Sequence, residues 1–99
     1  MAFELMVGLT VSNDQVYADY REAMRPLLEQ HGGGFRYDFV VAKVLKSEAD
    51  HVINRVFAIY FKDEENKNLF FADPDYKKIK ERFFEKSVTA TTIISQYQR

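Results

Sequence analysis

The chain has 99 residues, of which 46% are hydrophobic and 29% charged, with a formal net charge of −1 at pH 7. That length suits a single domain, 1–99, around one hydrophobic core, and the composition is that of a folded soluble chain rather than a disordered one. A near-neutral charge sets up no field to gather nucleic acid or an anionic membrane, and no apolar run approaches a membrane span. The absence of cysteine excludes disulfides, thiolate catalysis and thiolate-held metals.

Phe3, Leu5, Val7, Leu9 and Val11 alternate with Glu4, Met6, Gly8 and Thr10, the period of a strand. Ser12 followed by Gln15 reads as a capping box, with Val11 and Val16 stapled across it. Val16, Tyr20, Ala23, Leu27 and His31, flanked by Met24 and Leu28, then predict a helix, kinked near Glu22 by Pro26 and ended by a left-handed Gly32. A second strand is predicted over 35–46, with Phe35, Tyr37, Phe39 and Val41 on one face. The polar stretch 47–53 connects it to a third strand over 54–62, apolar on both faces and therefore central. Asp63 caps a second helical region; Asp73 caps it afresh, with Pro74 at the first helical position and a stripe through Tyr76, Ile79, Phe83 and Phe84. A β-branched strand over 87–97 completes the chain.

The order is βαββαβ, which predicts an α+β, ferredoxin-like antiparallel sheet with the first and third strands central and two helices on one face. The other face would carry aromatic and β-branched side chains, an apolar area beyond the roughly 300–600 Å² found on typical monomers. The expected partner is a second copy, a homodimer closed through the helix-free sheet face.

Tyr17-x-x-Tyr20-Arg21, Pro26-Leu27-Leu28, His31-Gly32-Gly33 and Phe71-x-x-Pro74-x-Tyr76-x-x-Ile79 resemble the family called domain of unknown function 1330. The resemblance implies membership of the dimeric α+β-barrel superfamily, in which two ferredoxin-like sheets face each other, and no established activity. The chain departs from the family's usual glycines at Tyr37-Asp38-Phe39-Val40 and at Ser47-Glu48-Ala49-Asp50-His51.

Chemistry-bearing residues are few. His31, at a helix C-terminus where the dipole favours its charged form, is the candidate catalytic base, against a plain role as a helix-end group. Arg36, Tyr37, Asp38 and Arg55 are placed to receive a carboxylate or phenolate at one end of the sheet, or simply to pair across strands. Tyr17 and Tyr20 lie on or beside the buried stripe, where a ring packs and its hydroxyl seeks a partner. His51, in the polar connection, is expected to be solvated. No metal is expected from two histidines without carboxylates at ligand spacing, and no cofactor. Lys77, Lys78, Lys80, Arg82 and Lys86 are interleaved with Glu81 and Glu85, which describes a solvated helix face and argues against nucleic acid.

These readings give a small cytoplasmic dimer that binds a small apolar or aromatic molecule through Tyr17, Tyr20, His31, Arg36, Tyr37 and Arg55. The alternatives are a cofactor-independent monooxygenase or isomerase acting on a phenolic or lactone-like substrate, as on related folds, and a module whose only purpose is its dimer face.

Overall fold

The computed structural model describes residues 2–99. The elements run β1 (Phe3–Val11), α1 (Asp14–Gln30), β2 (Gly34–Val40), β3 (Arg55–Phe61), α2 (Glu64–Ala72) and α3 (Pro74–Ile79). A π-helical turn (Lys80–Phe84), the short α4 (Glu85–Ser87) and β4 (Val88–Gln98) follow. The strands form one antiparallel sheet of order β2-β3-β1-β4, so the two most apolar strands are central, as the pattern predicts. No helix among the described residues is long and apolar enough to cross a membrane.

The core lies between the sheet and the helices. Phe3, Leu5, Val7, Leu9 and Val11 of β1 and Phe57, Ile59 and Phe61 of β3 meet Tyr17, Tyr20, Met24 and Leu28 of α1, Phe70 of α2 and Tyr76 of α3. The buried stripe of α1 thus runs one position away from Val16, Ala23 and Leu27, which are only half-buried. Turning the helix this way buries Tyr17 and Met24 beside Tyr20, a larger apolar area than the valine and alanine they replace.

One chain punctuation differs from expectation in detail. The N-cap of α1 is Asn13, whose side chain accepts from the Val16 N–H at 3.1 Å. Ser12 instead extends the sheet, its N–H donating to Ser87 O at 2.8 Å. At the other end Gly32 has φ of +69°, the left-handed conformation that a residue without Cβ adopts at little cost. The helix runs through Pro26, an exposed position. Asp63 and Asp73 cap α2 and α3 as read, accepting from Asn66 N and Asp75 N.

β2 ends at Val40, which pairs with Arg55, the first residue of β3. Val41 N still donates to Asn54 O, and Asn54 N to Leu9 O of β1, but residues 41–54 form a long connection rather than the predicted continuation to residue 46.

The largest difference is a bulge. Phe35 pairs with Ile59, but Tyr37 pairs with Ala58, so Arg36 is an extra residue. A one-residue slip reverses the faces. Phe35 therefore stays on the helix side with Ile59, while Tyr37 and Phe39 lie opposite Ala58 and Val56 on the helix-free side. Arg36 and Asp38, which unbroken alternation with Phe35, Tyr37 and Phe39 would put on one face, part company: Arg36 bonds Glu4 on the helix-free side and Asp38 bonds Arg21 of α1.

The helix-free face is consequently mixed rather than uniformly apolar. Tyr37, Phe39 and Ile94 are about half exposed, at 53%, 54% and 48%. Beside them Glu4 is 1% exposed and accepts from Arg36, Tyr97 and Arg99. The 41–54 connection folds back over the remainder of this face, setting Ile53 against Gly8.

A cavity between the helices and the sheet

Between the helix layer and the sheet lies a cavity of about 230 Å³. Its floor is Leu5, Val7, Leu9, Phe57, Ile59 and Ile93, the inward positions of three strands. Its walls are Tyr17, Tyr20 and Met24 of α1 and Tyr76, Lys80 and Phe84 of the α3–π segment. A cavity of about 150 Å³ admits benzene, so this one holds an aromatic ring with a short substituent. A wider depression of about 660 Å³ runs under residues 41–49 on the opposite face. It is a shallow groove walled by exposed connection residues, so it encloses a ligand less completely than the cavity does.

The π turn shapes one wall. Tyr76, Lys80 and Phe84 are successive fourth residues, and at about 3.6 residues per α-turn such a series drifts steadily around the helix. The wider turn, closed by Glu85 N–H donating to Lys80 O, takes up that drift and keeps all three on the cavity.

Two hydroxyls meet inside. Tyr20 Oη and Tyr76 Oη are 2.8 Å apart, and each residue is 5% exposed. Burial pushes the Tyr20 phenol well above its ordinary value, and the neighbouring Tyr76 adds to the shift. Burial also raises Tyr76, and it raises Tyr17 despite the opposing charge of Arg21. All three are neutral hydroxyls near neutrality.

Behind the lining residues Tyr17, Phe35 and Phe57, at the α1–β2 side, charge is stacked on aromatic rings. Arg21 Nη1 donates to Asp38 Oδ2 at 2.8 Å, while its guanidinium lies 3.4 Å from the Phe35 ring centroid. Arg55 approaches the same carboxylate to 3.7 Å and stands 4.9 Å from the Tyr17 ring centroid. The two guanidinium side chains are only 19% and 17% exposed, so both use the Asp38 carboxylate and the ring faces in place of water, and Arg55 also reaches Asp14 Oδ1 at 4.0 Å. Arg21 is the member of this group that sequence reasoning missed. Four residues beyond Tyr17 on α1, it had the spacing to find it.

The six residues anticipated from sequence are therefore divided. Tyr17 and Tyr20 line the cavity and Arg55 stacks on Tyr17. His31 is not in the lining: its Nε2 is 3.7 Å from Asp73 Oδ2, and its ring meets Phe70 edge-on with centroids 5.8 Å apart. Arg36 and Tyr37 belong to the far side of the sheet, Arg36 over Tyr60 and Tyr37 stacked on Phe39. His31 and Arg36 therefore do not join Tyr20 on the cavity. Tyr76 and Lys80, read from sequence as core stripe and solvated face, are the lining residues that composition concealed.

His51 is not merely solvated either. Its Nδ1 is 2.8 Å from Thr10 Oγ1 and its Nε2 is 2.6 Å from Thr92 Oγ1, which ties the connection to two strands. Among the described residues no three His, Asp or Glu side chains gather closely enough to hold a metal ion.

Solved structures share this architecture. A protein of unknown function from Rhodopseudomonas palustris, RPA0582, superposes with a TM-score of 0.80 at 15% identity, over 99% of this chain and 82% of its own. A dabb family protein with a ferredoxin-like fold from Mesorhizobium loti gives 0.70 at 13% identity, covering 99% of this chain and 96% of its own. A dimeric protein of unknown function with a ferredoxin-like fold from Bacteroides fragilis gives 0.62 at 12% identity, covering 99% and 96%. At such identities the likeness shows the fold alone, and the fold is ferredoxin-like α+β. No curated protein sequence matches the chain. The model of the domain of unknown function DUF1330 matches residues 5–97, nearly the whole length, and the chain belongs to that family.

Proposed function

We propose that the protein binds a small apolar or aromatic molecule in the cavity between the helices and the sheet, and does so as a homodimer joined through the helix-free sheet face. The observation that carries the binding reading is the cavity itself. Interiors of this kind are normally close-packed, and here about 230 Å³ stands open beneath Tyr20 and Tyr76 with an almost wholly apolar floor. An apolar enclosure with a few converging polar groups is the usual form of a small-molecule site.

Binding is favoured over catalysis because, among the described residues, no carboxylate and no imidazole lines the cavity. A monooxygenase or isomerase working by proton abstraction needs a base within hydrogen-bond reach of its substrate. His31 stands elsewhere, beside Asp73.

The dimer reading draws on the half-exposed Tyr37, Phe39 and Ile94, and on the description of the Bacteroides neighbour as dimeric. A two-fold pairing would bury these rings while leaving each cavity, on the other side of its sheet, intact.

The test of binding is titration with p-cresol. We expect a concentration-dependent rise in Tm and perturbation of the Tyr20 and Tyr76 ring resonances. An aromatic probe set that moves neither quantity overturns the reading. For the dimer, light scattering should give twice the chain mass, with Phe39→Glu returning it to one. A monomeric wild-type protein at micromolar concentration overturns that part.

A further inference from the structure

The cavity counts its protons unevenly. A tyrosine hydroxyl has one proton to donate and lone pairs to accept with. In the Tyr20–Tyr76 pair one hydroxyl donates to the other, and neither bonds any other group among the described residues. One phenolic proton of the pair is therefore left without an acceptor among the described residues. Tyr17 Oη is approached by Arg21 Nη1, itself a donor, at 3.5 Å, so its proton also lacks an acceptor.

The charge is uneven too. Among the described residues Lys80 is the one charged residue in the lining, and no carboxylate lies within ion-pair distance of it. It stands one turn beyond Tyr76 on the same face, a spacing at which neighbouring side chains converge. The π turn that begins at Lys80 holds it on the cavity, and such turns occur frequently at functional sites. The enclosure thus offers donors and a cation above an apolar floor, and no anion to answer them.

We infer that the ligand is a small apolar acid: an aromatic or short aliphatic body on the floor, and a carboxylate whose oxygens take the spare proton of the Tyr20–Tyr76 pair and the Lys80 ammonium. This rests on the cavity being the ligand site and adds the class of molecule that fits it. A neutral molecule of the same shape leaves the lysine without a counter-charge and gains less, since hydrogen bonds to an ionised acceptor are roughly twice as strong as neutral ones. Lys80 is exposed, so its ammonium sits at the mouth and reads the head of a ligand whose body is already inside.

The test compares phenylacetate with phenylacetamide, equal in shape and differing in charge, by calorimetric titration of the whole protein near neutral pH. Phenylacetate should bind roughly tenfold more tightly or better. Lys80→Met, at an exposed position, should bring the acid to the level of the amide. Added salt should weaken the acid alone, because the ammonium is open to screening. Equal affinities for acid and amide overturn the inference and leave the cavity reading standing, as does binding of p-cresol without either phenylacetyl probe. An acid preference that survives in Lys80→Met removes Lys80 from recognition and also overturns it. Failure of all three probes overturns both readings together.

Discussion

Arg36 Nε donates to Glu4 Oε1 at 2.5 Å, joining an extra residue of β2 to a strand two places away across Tyr60 of β3. Tyr97 and Arg99 of the opposite edge reach the same carboxylate. The group ties both edges of the sheet to its centre, on the face without helices. Burial works to raise the Glu4 carboxyl, but the hydrogen bonds from Tyr97 and Arg36 and the charge of Arg99 outweigh it, so its pKa lies below the ordinary value.

A lowered carboxylate pKa means that the folded state holds the charged form better than the unfolded chain does. Its contribution is present above the ordinary glutamate range and is lost as pH falls through the folded value. Glu4→Gln should cost about 1–3 kcal/mol near neutral pH, since it weakens several bonds at a residue 1% exposed. Urea denaturation at neutral and acid pH should show the gap between wild type and variant closing on acidification. A gap that stays constant with pH would show that Glu4 acts by its shape and not by its charge.

The tyrosine pair makes the opposite prediction in alkali. Tyr20 and Tyr76 both titrate above the usual 10.0 because burial disfavours the phenolate. The folded state therefore keeps protons that the unfolded chain releases, and stability falls as pH rises past the ordinary tyrosine range. Replacing both residues by Phe removes two titrating groups and should flatten that fall. Each single Phe substitution strands the other hydroxyl and should cost about 1–3 kcal/mol, with the double variant costing less than the sum. Chemical denaturation at neutral pH, and tyrosinate absorbance during alkaline titration, measure the two effects.

What could be read in the sequence follows where the periodicity was unbroken. The nine residues of β1 alternate without interruption, and their inward set forms the core floor as the pattern requires. Asp63, Asp73, Pro74 and Gly32 act locally, so their roles were visible from neighbours in the chain. The bulge at Arg36 was not visible. An inserted residue leaves the alternation intact on both sides of it, and only pairing with Ile59 and Ala58 reveals which face each half presents. The cavity was hidden for a similar reason: Tyr20 and Tyr76 are 56 residues apart, and nothing in either helix announces that their hydroxyls meet. Lys80 read as surface because its neighbours are charged, and the π turn that holds it on the cavity has no simple sequence mark.

Two glycines should respond differently to a methyl group. A Cβ on Gly33 would stand 2.5 Å from the Tyr60 carbonyl oxygen and 2.7 Å from Leu28 Cδ1, between the end of α1 and the sheet. Backbone cannot withdraw as a side chain can, so Gly33→Ala should cost about 1–3 kcal/mol. On Gly8 the nearest atom is Ile53 Cδ1 at 2.9 Å, the far end of a side chain able to change rotamer. Gly8→Ala should cost less, and a thermal melt comparing the two reads the difference. Equal losses would mean that the contact of Ile53 with the sheet is as rigid as the strand ladder.

The connection 41–54 is held by few bonds, and they can be cut singly. Asn54 Oδ1 accepts from Val11 N at 2.8 Å and its Nδ2 donates to Val11 O at 2.9 Å, so the amide takes the place of a strand neighbour at the end of β1. His51 bridges Thr10 and Thr92 a short way along the same face. The Thr10 hydroxyl also donates to Val52 O. His51→Ala removes two hydrogen bonds at a half-buried site and should cost about 1–2 kcal/mol. The loss should fall locally: amides of residues 41–53 should exchange faster, while those of β1 and β3 keep their protection. Asn54→Ala should add fraying at Val11, beside the start of α1. Neither change touches the cavity lining, so p-cresol should bind both variants as it binds the wild type. Loss of binding in His51→Ala would show that the connection and the cavity are coupled through the sheet.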